Sequence, residues 1–145
     1  MAFSDNHKIF IASTTTAGAA GTSAITSSAV DTAGFDGCLF IVPLGTIVAS
    51  AVTSIKVQQC DTSGGSYADL TGTNQTIADT DDDKLLYVDV FRPREQFLKL
   101  VVSRATQNAT IGGIIAVLYN ARSRPVTHGS NVAGETFNWP AEGTA

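Results

Sequence analysis

The sequence has little charge and few cysteines, and each shortage excludes a class of protein. Charged residues make up 15% of the 145 residues and the net charge is −4, so the chain lacks the basic face with which a general nucleic-acid binder neutralises phosphates. Its two cysteines show no CxxC spacing and are too few for a disulfide scaffold. We expect Cys38 and Cys60 to be buried free thiols, since a bridge would require their strands to be adjacent.

Long apolar runs are also missing. No segment approaches the roughly 20 apolar residues that cross a bilayer, and the beginning of the chain shows no basic stretch followed by an apolar one, as a secretory signal would. We therefore expect a soluble protein made in a cytoplasm, with no membrane partner and no nucleic-acid partner.

Histidine is scarce, which argues against an enzyme. Only His7 and His128 are available as bases, and the many serines include no GxSxG elbow. The Ser63–Ser66 turn lacks the lysine and helix of a phosphate loop. The acidic run at 79–83 offers the oxygen ligands that calcium prefers, but it lacks EF-hand spacing and is typical of a solvated turn. We predict no catalytic residue, no metal site and no cofactor.

Alternating apolar and polar residues are abundant. In residues 84–104 they alternate with period two on both sides of the link Arg92–Glu95, which predicts two strands folded back on each other. Pro93 in that link cannot donate to a sheet ladder. Similar short patterns separated by turns recur from Ala24 to Tyr119. About eight such strands predict an all-β chain folded as an antiparallel β-sandwich or jelly roll.

Three further stretches give the predicted sandwich its detail. Phe35–Val42 is nearly continuous in apolar residues, which is typical of a strand covered on both faces, and we expect Pro43 to end it. Val52–Cys60 alternates cleanly. Ala109–Tyr119 contains a glycine pair, which indicates a bulge or a close approach of two backbones.

Both ends of the chain lack a sustained pattern. We predict a flexible N-terminal arm over residues 1–23, a β-sandwich domain over 24–121 and an extended C-terminal arm over 122–145. Within the first arm, Ile9–Ala12 suits an edge strand or an arm on a neighbour. The C-terminal arm either inserts its aromatic residues into a groove on another subunit, folds back on its own sandwich, or stays disordered.

The arginines of the second half are the remaining candidates for a binding surface. They lie in predicted loops and at strand ends, and they either form one patch for an acidic partner protein or are separate solvated charges. These residues are Arg92, Arg94, Arg104, Arg122 and Arg124.

Several short motifs in the middle of the chain occur together. An IKxQQ strand is followed by a Gly/Ser turn and Tyr-Ala-Asp-Leu, then by a hydrophobic-Asp-hydrophobic strand that ends in Arg-Pro. A Leu-x-Leu-Val-Val strand, a glycine-bearing strand and Arg-x-Pro-Val complete the series. Over roughly Phe40 to Val126 the chain resembles small virion proteins encoded beside the head genes of tailed bacteriophages, in particular head decoration (cement) proteins.

This resemblance implies a protein without catalysis that binds the outside of an assembled capsid. Its partner would be the major capsid protein, its own state a homotrimer at local three-fold positions, and its location the surface of a virion assembled in the host cytoplasm. We expect the arms to make the contacts through four anchors and two residues at the root of the C-terminal arm. The anchors are Ile9, Phe10, Phe137 and Trp139, and the root residues are Arg122 and Arg124.

Two other functions are compatible with the sequence. A tail or neck component of the same virus would assemble as a ring or tube. A carbohydrate-binding jelly roll would need exposed aromatic residues near one edge, for which Tyr67, Tyr87 and Phe91 are the candidates.

Overall fold

The computed structural model describes residues 1–13 and 19–144. Within these residues the chain forms one short helix followed by twelve strands, most of them brief. The elements are α1 (Phe3–Asn6), β1 (Lys8–Ile11), β2 (Ala19–Gly21), β3 (Ile25–Thr26), β4 (Val30–Asp31), β5 (Gly37–Ile47), β6 (Val52–Cys60), β7 (Ala68–Asp69), β8 (Gln75–Ile77), β9 (Leu85–Phe91), β10 (Phe97–Ala105), β11 (Ala109–Ile111) and β12 (Ile115–Tyr119).

The first sheet is built around β5, the longest strand. β9 pairs along one side of β5, while β12 and β11 pair along the other. β1 and β2 then pair with β12 and β11 at the outer edge. The register shifts between Ala109 and Ile111, and the predicted glycine pair, Gly112 and Gly113, separates β11 from β12. The two therefore behave as one interrupted strand, as the sequence indicated.

The second sheet is built around β10 and β6, which pair along nine residues, from Phe97 opposite Cys60 to Ala105 opposite Val52. β3 and β4 flank β10 on its far side. β7 and β8 flank β6 on its far side. Every pairing in both sheets is antiparallel.

The order of the strands has jelly-roll connectivity. Four pairs of short strands each occupy one strand position: β1–β2, β3–β4, β7–β8 and β11–β12. With β5, β6, β9 and β10, the described residues fill eight positions, numbered 1 to 8 along the chain. The first sheet then has the order 1-8-3-6 and the second the order 2-7-4-5. Consecutive positions alternate between the two sheets except where the chain turns from β6 to β7, which is the connectivity of two interleaved Greek keys. The predicted all-β sandwich is confirmed.

The core lies between the sheets and is filled by alternate residues of each strand. Leu98, Leu100 and Val102 of β10 are fully buried, as the period-two pattern predicts. Phe40 of β5 and Ile55 of β6 are buried opposite them in the same cluster. Burying a side chain of this size contributes about 1.5–3 kcal/mol, so the sandwich is held together by this layer.

Two sequence predictions differ from the structure. Pro43 does not end its strand, because β5 continues to Ile47. Proline is tolerated there because Pro43 lies beside the interruption at Gly112, where its carbonyl accepts a 2.7 Å hydrogen bond from the Gly112 N–H and no ladder donor is needed from Pro43 itself.

The second difference concerns the predicted flexible arm over residues 1–23. β1 and β2 lie inside that segment and are edge strands of the first sheet, with Ile9 opposite Val117. The first sheet therefore includes residues before Ala24, and β1 matches the edge-strand alternative that the sequence gave for Ile9–Ala12. Residues 14–18 of that segment, and Ala145 at the other end, lie outside the described residues.

Candidate protein-binding surface

The outer face of the first sheet, turned away from the core, is apolar. The registers of four strands place Ile11, Ile115, Ile41 and Tyr87 side by side in one row across β1, β12, β5 and β9. Because residues directly opposite each other point to the same side of a sheet, the neighbouring rows can be assigned in the same way. We call the following set the apolar face: Ile9, Ile11, Leu39, Ile41, Leu85, Tyr87, Phe91, Ile115, Val117 and Tyr119.

Several of these side chains are largely open to solvent. Ile11 is 57% exposed, Leu85 62%, Tyr87 64% and Phe91 56%. An aromatic side chain offers roughly 150–250 Å² of surface, so these four residues together expose several hundred Å² of apolar surface. An apolar patch of that size matches the largest patch on a typical monomer, and such patches are often functional.

The outer face of the second sheet is different. Its outward residues include Ser54, Lys56 and Gln58 on β6 and Lys99 and Ser103 on β10, and it also carries the apolar residues Val52, Phe97 and Val101. These side chains also bond across the surface, as in the 2.7 Å ion pair between Lys56 and Asp69 of β7. The hydrogen bonds from Lys56 and Gln58 lower the pKa of Asp69. This face is therefore more polar than the apolar face of the first sheet.

The apolar face contains one hydrogen-bonded polar pair. The Tyr119 hydroxyl donates a 2.6 Å hydrogen bond to the Asp89 carboxylate, and the Tyr119 ring is parallel to the Phe91 ring at 6.5 Å between centroids. Gly37 lies opposite both Tyr119 and Phe91, and a Cβ at this position would overlap the Tyr119 ring. Burial and the neighbouring Asp89 carboxylate raise the pKa of Tyr119. The Asp89 carboxylate therefore has a hydrogen-bond donor, the Tyr119 hydroxyl, although it lies on an apolar surface.

β9 forms the free edge of this face. Among the described residues it pairs only with β5, and it is the longest of the edge strands, with seven residues. The link that follows it carries Arg92, whose guanidinium lies 5.0 Å from the centroid of the Phe91 ring. A cleft of about 400 Å³, lined by residues of β9, the link and the β7 region, separates this edge from the second sheet.

Three of the predicted arginines share one end of the sandwich. Arg92, Arg94 and Arg122 line a cleft of about 630 Å³ together with Asp36 and Glu95. The Arg122 guanidinium lies 3.6 Å from the Asp36 carboxylate, so part of the positive charge is balanced within the cleft. This is a patch of mixed charge that suits a partner with an acidic segment.

Arg104 does not belong to that patch. It lies at the far end of β10, where its side chain donates to the carbonyls of Ser23 (2.7 Å) and Ala109 (2.8 Å) and so ties the two sheets together. Burial lowers the pKa of Arg104. Its role is structural, because its donors are used within the fold.

The predicted arm residues lie in different surroundings. Phe10 on β1 packs against the core cluster, and Ile9 is half-buried. Arg124 donates to the Ala121 carbonyl at 3.3 Å. Phe137 and Trp139, by contrast, are 73% and 99% exposed. Phe137 and Trp139 therefore remain candidate anchors, because their side chains are exposed. Ile9 and Phe10 belong to strand β1 of the first sheet.

The C-terminal segment lies against the N-terminal one. The Val126 N–H donates to the Asp5 carbonyl at 3.0 Å, and the Ile9 N–H donates to Nδ1 of His128 at 3.3 Å. Farther along, the hydroxyls of Ser4 and Thr136 are hydrogen-bonded. Between the two segments is a largely apolar cleft of about 570 Å³. Most of the arm thus folds back on its own sandwich, which is one of the alternatives that the sequence left open.

The groups considered for catalysis or metal binding serve the fold. His7 bonds the Phe3 carbonyl through Nδ1 and stacks on the Phe3 ring. Cys38 and Cys60 are free, buried and on different sheets, and burial raises the pKa of the Cys38 thiol, which keeps it unreactive.

The acidic loop at 79–83 is held by hydrogen bonds, two of them from the backbone at and just after the end of β5. Asp82 accepts from the Ile47 N–H at 2.5 Å, and Asp79 accepts from the Ser50 N–H at 2.9 Å. Lys84 and the Ala78 N–H bond Asp81 and lower its pKa. Over residues 1–13 and 19–144, no group of three or more metal-binding side chains is present. These carboxylates therefore cap the loop, and calcium is not needed to explain them.

The comparisons with known proteins were negative: no protein-family model matches the chain, and no curated protein matches it. In the described part of the chain, the one helix falls far short of the length needed to cross a bilayer.

The sequence predicted the long strands of the apolar face, but it did not predict that their outward apolar residues lie together on one exposed surface. The relevant sequence feature is the run Cys38–Val42, in which odd- and even-numbered residues are all apolar. Such a run predicts a strand covered on both faces. Of the five residues in this run, Cys38, Phe40 and Val42 are buried, while Leu39 and Ile41 are half-exposed. β5 is thus apolar on both sides in this run but buried on only one.

Proposed function

We propose that this protein is a non-enzymatic structural protein of a virus particle. It binds the outer surface of a tailed-phage capsid as a decoration protein and acts as a homo-oligomer, for which the sequence resemblance implies a trimer. The observation that carries the proposal is the apolar face, a surface of several exposed aromatic and aliphatic side chains on a sandwich whose other face carries more polar and charged side chains. The face supports a protein partner, and the resemblance over residues 40–126 supports the kind of particle.

The arrangement suits attachment rather than chemistry. A rigid sandwich presents a preformed apolar surface, so binding orders few side chains and keeps most of the free energy gained by burial. The exposed Phe137 and Trp139 add a second contact on the C-terminal segment. On a capsid the same contacts repeat many times, and linked contacts raise the effective affinity of each subunit.

The first experiment measures the mass of the purified protein by light scattering and then its co-sedimentation with empty capsids. A test variant combines Ile11→Glu with Tyr87→Glu, which places two charges on the apolar face. A matched control combines Ser54→Glu with Gln58→Glu on the outer face of the second sheet. We expect the wild type and the control to sediment with capsids and the test variant to remain in solution.

Binding of the face variant at the wild-type level would overturn the proposed surface. Failure of the wild-type protein to bind capsids in any oligomeric state would overturn the decoration role, and binding to isolated tails instead would make it a tail or neck component.

The C-terminal arm is tested separately by truncation after Arg124. Because Phe137 and Trp139 are the exposed aromatic residues of the arm, we expect truncation to weaken capsid binding. The double variant Phe137→Ser and Trp139→Ser should weaken it to the same extent if the aromatics carry the effect. If the truncated protein bound capsids and trimerised like the full chain, the arm would have no part in assembly.

A carbohydrate-binding module is the second candidate function, and one observation favours it. Tyr87 and Phe91 are both more than half exposed on the same strand, and sugar rings stack on such aromatic side chains. Tyr67 is separate, on the other sheet, with the Lys99 ammonium 4.1 Å from its ring centroid. Binding on a glycan array that is lost in Tyr87→Ala would support this function over the structural one.

A further inference from the structure

On the side away from β5, the backbone of β9 has a row of hydrogen-bonding groups with no partner strand among residues 1–13 and 19–144. In an antiparallel pair, residues alternate between those that bond the neighbour and those that point away from it. The Leu44 N–H bonds the Lys84 carbonyl at one end of the β5–β9 ladder, and the Arg92 N–H bonds the Asp36 carbonyl at the other. Even-numbered residues of β9 therefore bond β5. The N–H and C=O groups of four residues point to the free edge: Leu85, Tyr87, Asp89 and Phe91.

This edge lacks the usual protection against pairing with another chain. Natural edge strands are commonly short, or carry proline or lysine within the strand. The other edge strands in the described part of the chain have two to four residues, whereas β9 has seven and contains neither proline nor lysine. Its single charged residue, Asp89, is hydrogen-bonded to Tyr119 on the outer face.

We propose that β9 pairs with β9 of a second copy of this chain, antiparallel, about a two-fold axis beside Val88. In this register Leu85 of each copy lies opposite Phe91 of the other, and Tyr87 lies opposite Asp89. The paired residues are the ones whose backbone groups point outward, so every outward N–H and C=O from Leu85 to Phe91 gains a partner. The two first sheets join into one continuous sheet, and the apolar face extends across both copies.

The charges at the two ends of β9 favour a second copy over another occupant. The acidic loop at 79–83 precedes the strand, and the Arg92–Arg94 link follows it. The seven-residue strand holds these oppositely charged segments roughly 23 Å apart. Antiparallel pairing reverses one copy, so each acidic loop lies beside the arginines of the other copy, and the two-fold axis makes this contact twice. Asp83, for which the structure shows no ion pair, is the acidic residue nearest the strand.

The side chains on the outer face are compatible with this pairing. Leu85 and Phe91, both more than half exposed, would cover each other across the junction. The cleft between β9 and the second sheet leaves the edge accessible. Pairing of β9 with β1 of another copy would instead be head-to-tail and open-ended, and it would not match the charges.

Amide hydrogen exchange is the direct test, measured by NMR on the full chain at low and high protein concentration alongside its mass by light scattering. In the monomer, the N–H groups of Leu86, Val88 and Val90 should be protected and those of Tyr87 and Asp89 should exchange rapidly. As the mass doubles, we expect Tyr87 and Asp89 to become protected at least about tenfold. A monomer at every concentration, or association that leaves both amides fast, would overturn the proposal.

A charge exchange tests the register. Asp83→Lys should weaken the association about tenfold, since two symmetry-related contacts are lost, and Arg94→Glu should do the same. The double variant, which exchanges the two charges, should recover most of the loss. Glu142→Lys makes the same change of charge on the C-terminal segment and should leave the association unchanged. Additive weakening in the double variant would contradict the antiparallel register.

This contact does not depend on the proposed capsid role. The β9–β9 contact joins two copies about a two-fold axis. If the protein is also a trimer, this contact would join one trimer to another. Capsid binding by the wild type with unprotected Tyr87 and Asp89 amides would leave the decoration role intact and remove the β9 contact. Protected Tyr87 and Asp89 amides without capsid binding would support the β9 contact and remove the decoration role.

Discussion

The Tyr119 hydroxyl donates a 2.6 Å hydrogen bond to the Asp89 carboxylate across β5, joining the eighth and sixth strand positions of the first sheet. The Tyr119 ring lies over Gly37, between the two strands, where a Cβ would overlap the ring. It keeps the one carboxylate of the apolar face in a fixed position with a partner. Three sequence-distant residues thus define the chemistry of this surface.

Gly37→Ala tests that close approach. The new methyl group overlaps the Tyr119 ring, so the ring must move and the hydrogen bond to Asp89 is lost. We expect the free energy of unfolding, from urea denaturation, to fall by about 1–3 kcal/mol. Gly64→Ala is the control, because a Cβ there meets nothing within 4 Å; it should change stability by no more than about 0.5 kcal/mol. Equal effects of the two substitutions would contradict the role of Gly37.

Tyr119→Phe should alter the dependence of stability on pH. Burial and Asp89 raise the pKa of Tyr119 above its ordinary value of 10.0 in the folded state. Its contribution is therefore complete below about pH 10 and is lost as the pH rises through the folded-state pKa. Urea midpoints measured from pH 8 to 11 should fall more steeply for the wild type than for Tyr119→Phe. Parallel curves would show that the hydroxyl does not titrate differently in the folded protein.

Ser27→Ala should destabilise the second sheet. The buried Ser27 hydroxyl accepts a 2.9 Å hydrogen bond from the Leu100 N–H and donates one of 2.9 Å to the Ser28 carbonyl. Removing it leaves the Leu100 N–H buried without this partner, which costs about 1–3 kcal/mol. Thermal or urea unfolding measures the loss. Ser28→Ala, at an exposed neighbouring position, is the comparison and should be nearly neutral.

The acidic loop should respond to substitution but not to calcium. Asp82 caps the Ile47 N–H, so Asp82→Ala should lower the free energy of unfolding by about 1 kcal/mol. Thr80→Ala in the same loop should have little effect. Millimolar calcium should leave the unfolding temperature of the wild type unchanged, because Asp79, Asp81 and Asp82 already accept hydrogen bonds from the protein. A rise of several degrees with calcium would establish a metal site there.

Local alternation made much of the fold predictable. The patterns in β6, β9 and β10 have period two and identify both the strands and their buried faces, because one side of each strand faces a single core. The glycine pair at Gly112–Gly113 marked the interruption correctly. Pro43 was misjudged, since its position beside that interruption depends on how β11 and β12 lie against β5, a relationship between residues about 70 positions apart.

The candidate site was less predictable for the same reason. Tyr87, Phe91 and Tyr119 were visible as aromatic residues on strands, but whether they share a face depends on the registers of β5 with both β9 and β12. The arginines at strand ends gave no sign that Arg104 lies apart from Arg92 and Arg122. Phe10 was predicted as an anchor on a partner, whereas it packs against the core of its own sandwich once β1 pairs with β12.

The sequence by itself determined the all-β class and the inward faces of the long strands, because these depend on composition and on a period of two residues. The tertiary structure alone decided which outward side chains lie together. Antiparallel pairing brings Ile11, Ile41, Tyr87 and Ile115 into one row from four separate parts of the chain, and it leaves β9 at an edge. Surfaces are made by register and strand order, which long-range packing fixes and local pattern does not.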